Sequence, residues 1–292
     1  MNISEYRGVM VFAEQRRGEI QKVAFELLGA GRGIADTLQE PLIAVLAGTH
    51  LTDAQAASLI AHGADRVILV EDPRLGVYMT EPFTKALTAV ISAEKPGIVF
   101  FGATTIGRDL APRVSARLKT GLTADCTALA IDDASRNLLM TRPAFGGNIM
   151  ATIICPEHRP QMSTVRPGVM RRLEADNART GEITRFACSI APADVNVEIL
   201  EEVVQKEEKK NIEDASVLVA GGRGLGNPEN FQSLQNLAEM LGGQVAASRA
   251  AVDERRLRQH ERHAGGRQRA DAAADLEHAP HHRLADGVRG RP

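Results

Sequence analysis

The stretch of the sequence best suited to contact a ligand is a cluster of four glycines between residues 221 and 226, with Arg223 among them. The cluster follows residues 217–220 (Val-Leu-Val-Ala), an apolar run that is typical of a buried parallel strand. Glycine allows a tight turn and lets a ligand approach the backbone closely. The four residues are Gly221, Gly222, Gly224 and Gly226.

Helix signals follow these glycines. Asn227 is a favoured N-cap residue, Pro228 suits the first helical position, and Glu229 suits the positive end of the helix dipole. Two further glycines, Gly242 and Gly243, predict the end of the helix. Between these ends, apolar residues recur at helical spacing and predict one apolar face; they are Phe231, Leu234, Leu237, Ala238 and Leu241.

Residues 244–247 (Gln-Val-Ala-Ala) predict a second strand, and Ser248 and Arg249 stand at its end. Strand, glycine turn, helix and strand form a βαβ unit. Nucleotide phosphates bind at the carboxyl ends of such strands, beside the helix N-terminus. The usual pyridine-nucleotide fingerprint is absent, because Asn227 stands where the third glycine is needed and Ser248-Arg249 replace the acidic ribose ligand. A purely structural role for the glycines, as turn residues, is the alternative.

Three parts of this unit resemble the flavin domain of the electron transfer flavoprotein alpha subunits. They are residues 221–224 (Gly-Gly-Arg-Gly), the pair Asn230-Phe231, and residues 248–253 (Ser-Arg-Ala-Ala-Val-Asp). The resemblance extends from about residue 7 to Asp253.

The resemblance implies FAD as the cofactor, with Arg223, Ser248 and Arg249 at positions that contact it in the family, beside Gly222 and Gly224. In that family the arginine matching Arg249 lies by the isoalloxazine ring. The resemblance further implies a heterodimer with a beta subunit that passes electrons between flavin dehydrogenases, such as acyl-CoA dehydrogenases, and another redox partner. Such a protein is an electron carrier and needs no catalytic nucleophile or base.

The first 204 residues predict a doubly wound α/β domain with a parallel sheet. Apolar runs at residues 9–13, 42–47, 67–70 and 98–101 alternate with helical patterns at 19–38, 53–62 and 81–93. Thr52 and Gln55 have capping-box spacing. Short strand-like runs follow at 126–131, 138–141, 149–154, 162–165, 186–190 and 195–204.

Residues 102–109 (Gly-Ala-Thr-Thr-Ile-Gly-Arg-Asp) form a second candidate site, for a phosphate or a carboxylate, because small residues there join a strand end to a helix start. A simpler interpretation is favoured, in which Thr104 or Thr105 caps the helix and Arg108 and Asp109 are surface charges. Residues 102–118 and 164–168 also resemble the alpha-subunit family. In that family this domain packs on the beta subunit and does not carry the flavin.

The composition excludes several classes of function. A formal net charge of −2 gives no reason to expect a nucleic-acid partner or an anionic membrane surface. The N-terminus has no export signal and no apolar run is long enough to span a bilayer, so a cytoplasmic location without membrane insertion is expected.

The three cysteines match no zinc spacing and are predicted to be buried free thiols; they are Cys126, Cys155 and Cys188. Asp132-Asp133 predicts a solvated turn rather than a metal site.

The charged residues 205–214 predict a linker, which makes residues 215–253 a partial, incomplete Rossmann-like FAD-binding domain. Residues 254–292 differ from the rest of the chain: they hold nine arginines, no lysine and five of the eight histidines, with few large apolar residues. This composition predicts a disordered tail. A metal site at His278, His281 and His282 is disfavoured because no rigid frame fixes their geometry.

The family pattern breaks at Glu254, where members continue with strands that supply much of the FAD contact. A frameshift in a GC-rich gene is our hypothesis, and resequencing the locus tests it. Two other functions stay open. One is an NADP-dependent reductase, because Ser-Arg after a second strand often holds a 2′-phosphate. The other is a truncated, flavin-deficient subunit that only pairs with beta.

Overall fold

The structure is a computed structural model, and it describes residues 2–144, 149–201 and 215–253. The chain divides into two compact units, residues 1–201 and 202–292. The predicted linker at 205–214 and the predicted disordered tail at 254–292, with its histidines, lie outside the described residues.

The first unit begins with three strands and a long helix and then alternates strands with helices before a run of strands. In chain order the elements are β1 (Val9–Phe12), β2 (Gln15–Arg16), β3 (Glu19–Ile20), α1 (Lys22–Leu38), β4 (Leu42–Gly48), α2 (Asp53–Ala61), β5 (Arg66–Glu71), α3 (Thr80–Glu94), β6 (Ile98–Gly102), α4 (Thr105–Leu118), β7 (Leu122–Cys126), β8 (Ala128–Ile131), β9 (Leu138–Ala144), β10 (Ile149–Ile153), β11 (Gln161–Val165) and β12 (Glu182–Arg185). The second unit contains β13 (Leu218–Gly221), α5 (Phe231–Met240) and β14 (Gln244–Ala247).

A seven-stranded sheet in the order β12-β5-β4-β1-β6-β11-β7 forms the centre of the first unit. Every neighbouring pair in it is parallel, which confirms the predicted doubly wound α/β fold. The chain reverses direction across the sheet beside β1: it proceeds from β1 to β4 and β5 on one side and then to β6 on the other. Ligands of open α/β sheets bind outside the carboxyl ends of the strands at such a switch point.

Side chains alternate across this sheet and build a core on each face. Val9 and Val11 of β1 point into one apolar cluster, with residues of α1 and α2. Met10 and Phe12 point into the other, with residues of α3 and α4. Both faces of the central strands are therefore buried, which explains why these strands read as continuous apolar runs rather than as alternating ones.

A separate three-stranded antiparallel sheet, in the order β10-β9-β8, is inserted between β7 and β11. The sequence predicted one strand over 126–131, and this was wrong, because β7 ends at Cys126 in the parallel sheet and β8 begins at Ala128 in the small one. Asp125, with a φ of 61°, turns the chain just before this change of sheet. After the small sheet, β11 returns to the parallel sheet between β6 and β7.

Other local predictions had mixed outcomes. The capping box of Thr52 and Gln55 is present at the start of α2, and Asp132 accepts hydrogen bonds from Ser135 in the predicted turn. The first helix begins at Lys22 rather than at residue 19, because residues 15–20 pair as the β2–β3 hairpin.

The last strands of the first unit were predicted at the wrong positions. Residues 186–190 and the described part of 195–204 contain no strand. The edge strand is instead β12, immediately before them, which pairs in parallel with β5. Phe186 and Cys188 pack against the core without joining the sheet. Their apolar character therefore reflects burial and not strand pairing. In the residues that the structure describes, no helix is long and apolar enough to cross a membrane.

Gly107 in α4 provides a test of how closely this helix approaches the sheet. A Cβ atom added there would lie 1.8 Å from the Gly102 carbonyl oxygen at the end of β6. Gly107→Ala must therefore shift α4, and we expect it to lower the free energy of unfolding by about 3 kcal/mol, measured by urea denaturation followed by circular dichroism. The control is Gly33→Ala in α1, where nothing lies within 4 Å of the added Cβ. It should raise stability by about 0.4–1 kcal/mol, and equal effects would contradict the packing argument.

Asp65, in the loop before β5, is hydrogen-bonded to the start of β4, to α1 and to the segment before β12. Its carboxylate accepts hydrogen bonds from the Leu42 N–H (2.8 Å), from Arg32 (2.7 Å) and from Arg179 (2.5 Å). Burial raises the pKa of Asp65, but the Leu42 N–H and the Arg32 guanidinium outweigh burial and hold this pKa below its usual value.

Because the pKa of Asp65 is lower in the folded chain, the ionised carboxylate stabilises the fold above the unfolded-state pKa of about 3.9. This contribution is lost as the pH falls through the lowered folded-state pKa. We expect Asp65→Asn to destabilise the protein at pH 7, and the difference from wild type to shrink below about pH 4. Urea denaturation between pH 3 and 7 measures it, with the exposed turn variant Asp133→Asn as control. A penalty that does not change with pH would show that the charge is not responsible.

Candidate functional site

The predicted βαβ unit is present in the second unit. Strands β13 and β14 pair in parallel, with Gly221 opposite Ala247. Their carboxyl ends therefore meet at one edge, and the chain leaves this edge twice, once into the glycine turn and once into Ser248. The backbone N–H of Ser248 donates a 2.8 Å hydrogen bond to the Gly221 carbonyl oxygen, which fixes the two segments side by side.

The connection from the glycines to the helix differs from the prediction. Asn227 makes no side-chain cap, and the chain passes through a short 3-10 turn at Pro228–Asn230 before α5 begins at Phe231. The side chain of Asn230 donates a 2.5 Å hydrogen bond to the Leu225 carbonyl oxygen, so Asn230 rather than Asn227 holds the turn to the helix. The end of the helix is as predicted, with Gly242 at a φ of 62°.

The four glycines of the turn fall into two classes. Gly221 is favoured by packing, because an added Cβ would lie 2.5–2.7 Å from side-chain atoms of Leu225, Phe231 and Leu234, which would have to shift. Gly226 has a φ of 73°, in the left-handed region that favours glycine. Two of the glycines are therefore structural, as the alternative interpretation of the sequence held.

Gly222 and Gly224 have no such structural reason to be glycine. An added Cβ at Gly222 would have Ser248 Oγ as its nearest neighbour, at 3.9 Å, and at Gly224 it would meet nothing within 4 Å. Neither residue has a φ in the left-handed region. Space is therefore open above both residues at the carboxyl edge of the strands, where a ligand can approach the backbone.

The two arginines of the predicted site are exposed. Arg223 lies in a 3-10 turn between the glycines, and the side chain of Arg249 is 91% exposed. Arg249 Nε lies 3.6 Å from Asp253 Oδ2, one helical turn further on, and an exposed pair of this kind contributes little to stability. Both guanidinium groups are thus free to reorient toward an anionic ligand at this edge.

The strand β13 is less buried than predicted. Leu218 and Ala220 are exposed, and in the described residues of the second unit β13 pairs only with β14. A strand that reads as fully apolar is expected to have a neighbour on each side and a layer on each face. In the described residues of the second unit, β13 has one neighbouring strand, β14, and one helix, α5, packed against it.

In the first unit, the edge at the carboxyl ends of the strands contains a buried carboxylate that belongs to the protein itself, the side chain of Glu14. Glu14, two residues after the end of β1, is 1% exposed. It accepts a hydrogen bond from the Thr104 hydroxyl and pairs with Arg16 at 3.0 Å. Thr104 Oγ1 also accepts from the Gly107 N–H (3.0 Å), which confirms the predicted cap of α4. At the start of α4, Thr104 therefore contacts the internal carboxylate of Glu14, whereas the candidate site of the sequence analysis was for a bound phosphate or carboxylate. The sequence analysis missed Glu14, although an acidic residue directly after an apolar strand was a usable signal.

The two other predicted surface charges of this stretch have partners. Asp109 accepts hydrogen bonds from the Tyr78 hydroxyl (2.6 Å) and the Thr80 hydroxyl (2.5 Å). Arg108 lies 3.8 Å from Asp125.

Comparison with known proteins gives two family matches that together cover most of the chain. Residues 9–191 match the electron transfer flavoprotein domain, and residues 211–269 match the electron transfer flavoprotein FAD-binding domain. The chain belongs to the electron transfer flavoprotein alpha-subunit family. The second match contains the whole predicted site and extends beyond Asp253.

Named relatives agree with this family. The chain is 50% identical over 254 residues to "Protein FixB" of Clostridium saccharobutylicum, which covers 87% of this chain and 75% of that protein. It is 49% identical over 256 residues to the electron transfer flavoprotein subunit alpha of Clostridium acetobutylicum (87% and 76%). It is 40% identical over 281 residues to the acryloyl-CoA reductase electron transfer subunit beta of Anaerotignum propionicum (86% and 76%).

FAD is therefore the cofactor, and the carboxyl edge of β13 and β14 fits it in two respects. The open backbone at Gly222 and Gly224 leaves room for a bulky group against the chain, as a dinucleotide requires. The exposed guanidinium groups of Arg223 and Arg249 place positive charge at this edge, which suits an anionic cofactor.

Among the residues that the structure describes, the cysteines and the acidic side chains offer no competing site. The three cysteines are free thiols, as predicted, but only Cys126 is buried, and Cys155 and Cys188 are partly exposed. Burial raises the pKa of the Cys126 thiol to about 11, so this thiol is a poor nucleophile at neutral pH. Within the described ranges, no group of three or more His, Cys, Asp or Glu residues is arranged to hold a metal ion.

The glycine classes give a direct test of the FAD edge. Because Gly222 and Gly224 tolerate a Cβ within the chain, Gly222→Ala and Gly224→Ala should keep the circular dichroism spectrum of the wild type. Each added methyl group would meet a ligand lying against the backbone, so we expect FAD affinity to fall at least about tenfold. Fluorescence titration with FAD measures this, and Gly33→Ala in the first unit is the matched control. If both site variants bind FAD with the wild-type affinity, Gly222 and Gly224 do not lie against the cofactor.

Proposed function

We propose that this chain is the flavin-holding subunit of a heterodimeric electron carrier that pairs with a beta-type electron transfer flavoprotein subunit. In this proposal the carrier shuttles electrons between flavin dehydrogenases, such as acyl-CoA dehydrogenases, and another redox partner in the cytoplasm. The observation that carries it is the contact of the glycine turn with Ser248 at one strand edge, inside the FAD-binding family match.

Each residue at this edge has a proposed task. FAD, when bound, supplies the electron-accepting ring, and the protein supplies binding, orientation and electrostatics. Arg223 holds the nucleotide by a charge-assisted hydrogen bond, and the Ser248 hydroxyl, which lies beside Gly222, donates a further one. No nucleophile or general base is required, so the chain acts as a carrier and not as the catalyst of a substrate reaction.

Arg249 has an electrostatic task in this proposal. A fixed positive charge stabilises added negative charge nearby, and the effect is strongest where water is excluded. The side chain is 91% exposed in the chain described here, so a bound cofactor or a partner subunit must cover it for the full effect.

The first test is co-expression with a beta-type subunit, followed by a visible absorption spectrum of the purified complex. A yellow complex with one FAD per heterodimer supports a working carrier. A colourless heterodimer would instead support the alternative of a flavin-deficient subunit that only pairs with beta. Equilibrium binding of FAD against NADP on the same sample separates the carrier from the NADP-dependent reductase.

The second test concerns Arg249. Arg249→Ala in the heterodimer should lower the flavin reduction potential by about 30 mV, which is about 1.4 kcal/mol for a two-electron couple. Arg249→Lys keeps the charge and should recover most of this loss. Arg223→Ala is the matched control, because it should weaken FAD binding with little change in potential. Spectroelectrochemical titration measures all three, and an unchanged potential in Arg249→Ala would contradict the assigned task.

A further inference from the structure

The β2–β3 hairpin connects β1 to α1 at the carboxyl edge of the central strands of the first unit. We call residues 13–21 the hairpin loop. Its two ends meet, because the Gln21 N–H donates a 2.9 Å hydrogen bond to the Glu14 carbonyl oxygen. Its tip is held as well, because Gln55 Nε2 of α2 donates a 2.5 Å hydrogen bond to the Gly18 carbonyl oxygen. The hairpin loop is therefore a fixed part of the first unit.

The hairpin loop contacts the ends of the strands on both sides of β1. Gln15 Nε2 donates a 3.1 Å hydrogen bond to the Ala47 carbonyl oxygen in β4. On the other side, the Thr104 hydroxyl, two residues after the end of β6, donates a hydrogen bond to the Glu14 carboxylate. The hairpin loop thus lies across the switch point between β4 and β6, where other open α/β sheets bind their ligands.

The Glu14 carboxylate has the surroundings of a bound anion. Its Oε1 accepts hydrogen bonds from Arg16 Nη2 (3.0 Å) and Nε (3.2 Å), and its Oε2 accepts one from the Thr104 hydroxyl. Thr104 Oγ1 in turn accepts a hydrogen bond from the Gly107 N–H in the first turn of α4, which links Glu14 to the positive end of this helix. A guanidinium group, a hydroxyl group and a helix N-terminus are the groups that hold phosphates and carboxylates in other proteins.

We infer that this edge is an anion site whose occupant is the chain's own Glu14 carboxylate, and that the hairpin loop closes the site to external anions. Burial separates this arrangement from an ordinary surface ion pair, because Glu14 is only 1% exposed. A buried carboxylate is costly unless an opposite charge and hydrogen bonds compensate it, and here Arg16 and Thr104 supply both. This role of Glu14 belongs to the first unit alone and does not depend on the proposed carrier function.

Glu14 also decides which unit is open to a nucleotide. A phosphate at the switch point of the first unit would meet a buried negative charge that already uses the available donors, and like charges repel most strongly away from water. At the edge of β13 and β14 the space above Gly222 and Gly224 is open instead. Among the strand edges discussed for the described residues, Glu14 thus leaves that of the second unit to the phosphates and is a specificity-determining residue.

The test removes the internal anion and offers an external one. Glu14→Ala deletes Cγ, Cδ and both carboxylate oxygens, and acetate consists of the same four heavy atoms. If acetate refills the site with a dissociation constant of about 10 mM, about 100 mM sodium acetate should lower the unfolding equilibrium constant of the full-length variant about tenfold relative to sodium chloride at the same ionic strength. Urea denaturation at pH 7 followed by circular dichroism measures this, and the wild type should show no such difference.

Two further variants isolate the cause. Glu14→Gln fills the space of the carboxylate, so acetate should stabilise it no more than it stabilises the wild type. Glu81→Ala is the matched control for an exposed site, because Glu81 also pairs with two arginines, Arg113 (57% exposed) and Arg117 (44% exposed). Water replaces a carboxylate on the surface, so acetate should have no selective effect there.

Each outcome decides the role of Glu14. Stabilisation by acetate that is confined to Glu14→Ala supports it. Equal stability of Glu14→Ala in acetate and chloride, or an acetate effect of the same size in Glu14→Gln, overturns it. If Glu14→Ala does not fold in chloride, the refolding yield in acetate is compared with that in chloride, and equal yields overturn the role too. None of these results changes the outcome of co-expression with a beta-type subunit, so the carrier function stands or falls separately.

Discussion

The backbone hydrogen bond from Ser248 to Gly221 is the contact on which the candidate flavin site depends. It extends the parallel pairing of β13 and β14 by one step past the end of the strands. The glycine turn and Ser248-Arg249 are separated by about 25 residues of sequence, and this pairing alone places them at one edge. A shift of the register by one residue would move Ser248 away from Gly222 and turn its side chain to the other face.

The two units place different chemistry at similar strand edges. In the first unit the switch point beside β1 contains Glu14, which is buried, paired with Arg16 and hydrogen-bonded to Thr104. A buried carboxylate with its own partners fills the position that a ligand anion takes in other α/β sheets and repels a further anion. In the second unit the edge is open and its charged side chains are arginines. The fold alone therefore does not decide which edge binds a nucleotide, and the side chains at the edge do.

The sequence predicted the five central parallel strands of the first unit, β1, β4, β5, β6 and β11, because buried strands read as unbroken apolar runs. It also predicted both strands of the second unit. It failed where an apolar run had another cause. Phe186 and Cys188 pack against the core without joining the sheet, and the run at 126–131 is divided between two sheets by the turn at Asp125. Neither feature leaves a periodic pattern, since each depends on contacts between residues distant in the sequence.

The glycine turn shows the same limit of prediction from sequence, here within the candidate site. Sequence identifies four glycines but cannot assign their causes, because a glycine required by packing and a glycine required by a ligand look identical. In the structure, Gly221 and Gly226 have a cause within the chain, namely packing and a left-handed φ, whereas Gly222 and Gly224 have none. Two glycines without a structural cause, separated only by Arg223 at an open strand edge, favour a ligand at that edge.

Apolar burial sets a further condition on the second unit. Among its described residues, Ala238 is the only apolar side chain in the buried core, whereas Leu218, Leu237, Met240 and Leu241 are exposed. Burial of apolar area is the main favourable contribution to folding, so these contacts by themselves stabilise the βαβ unit weakly. A ligand that binds only the folded form adds stability in proportion to the logarithm of its concentration over its dissociation constant. Flavin binding and folding of this unit are therefore expected to be coupled: substitutions at Gly222 or Gly224 that leave the unliganded fold unchanged would still lower the stability measured in the presence of FAD.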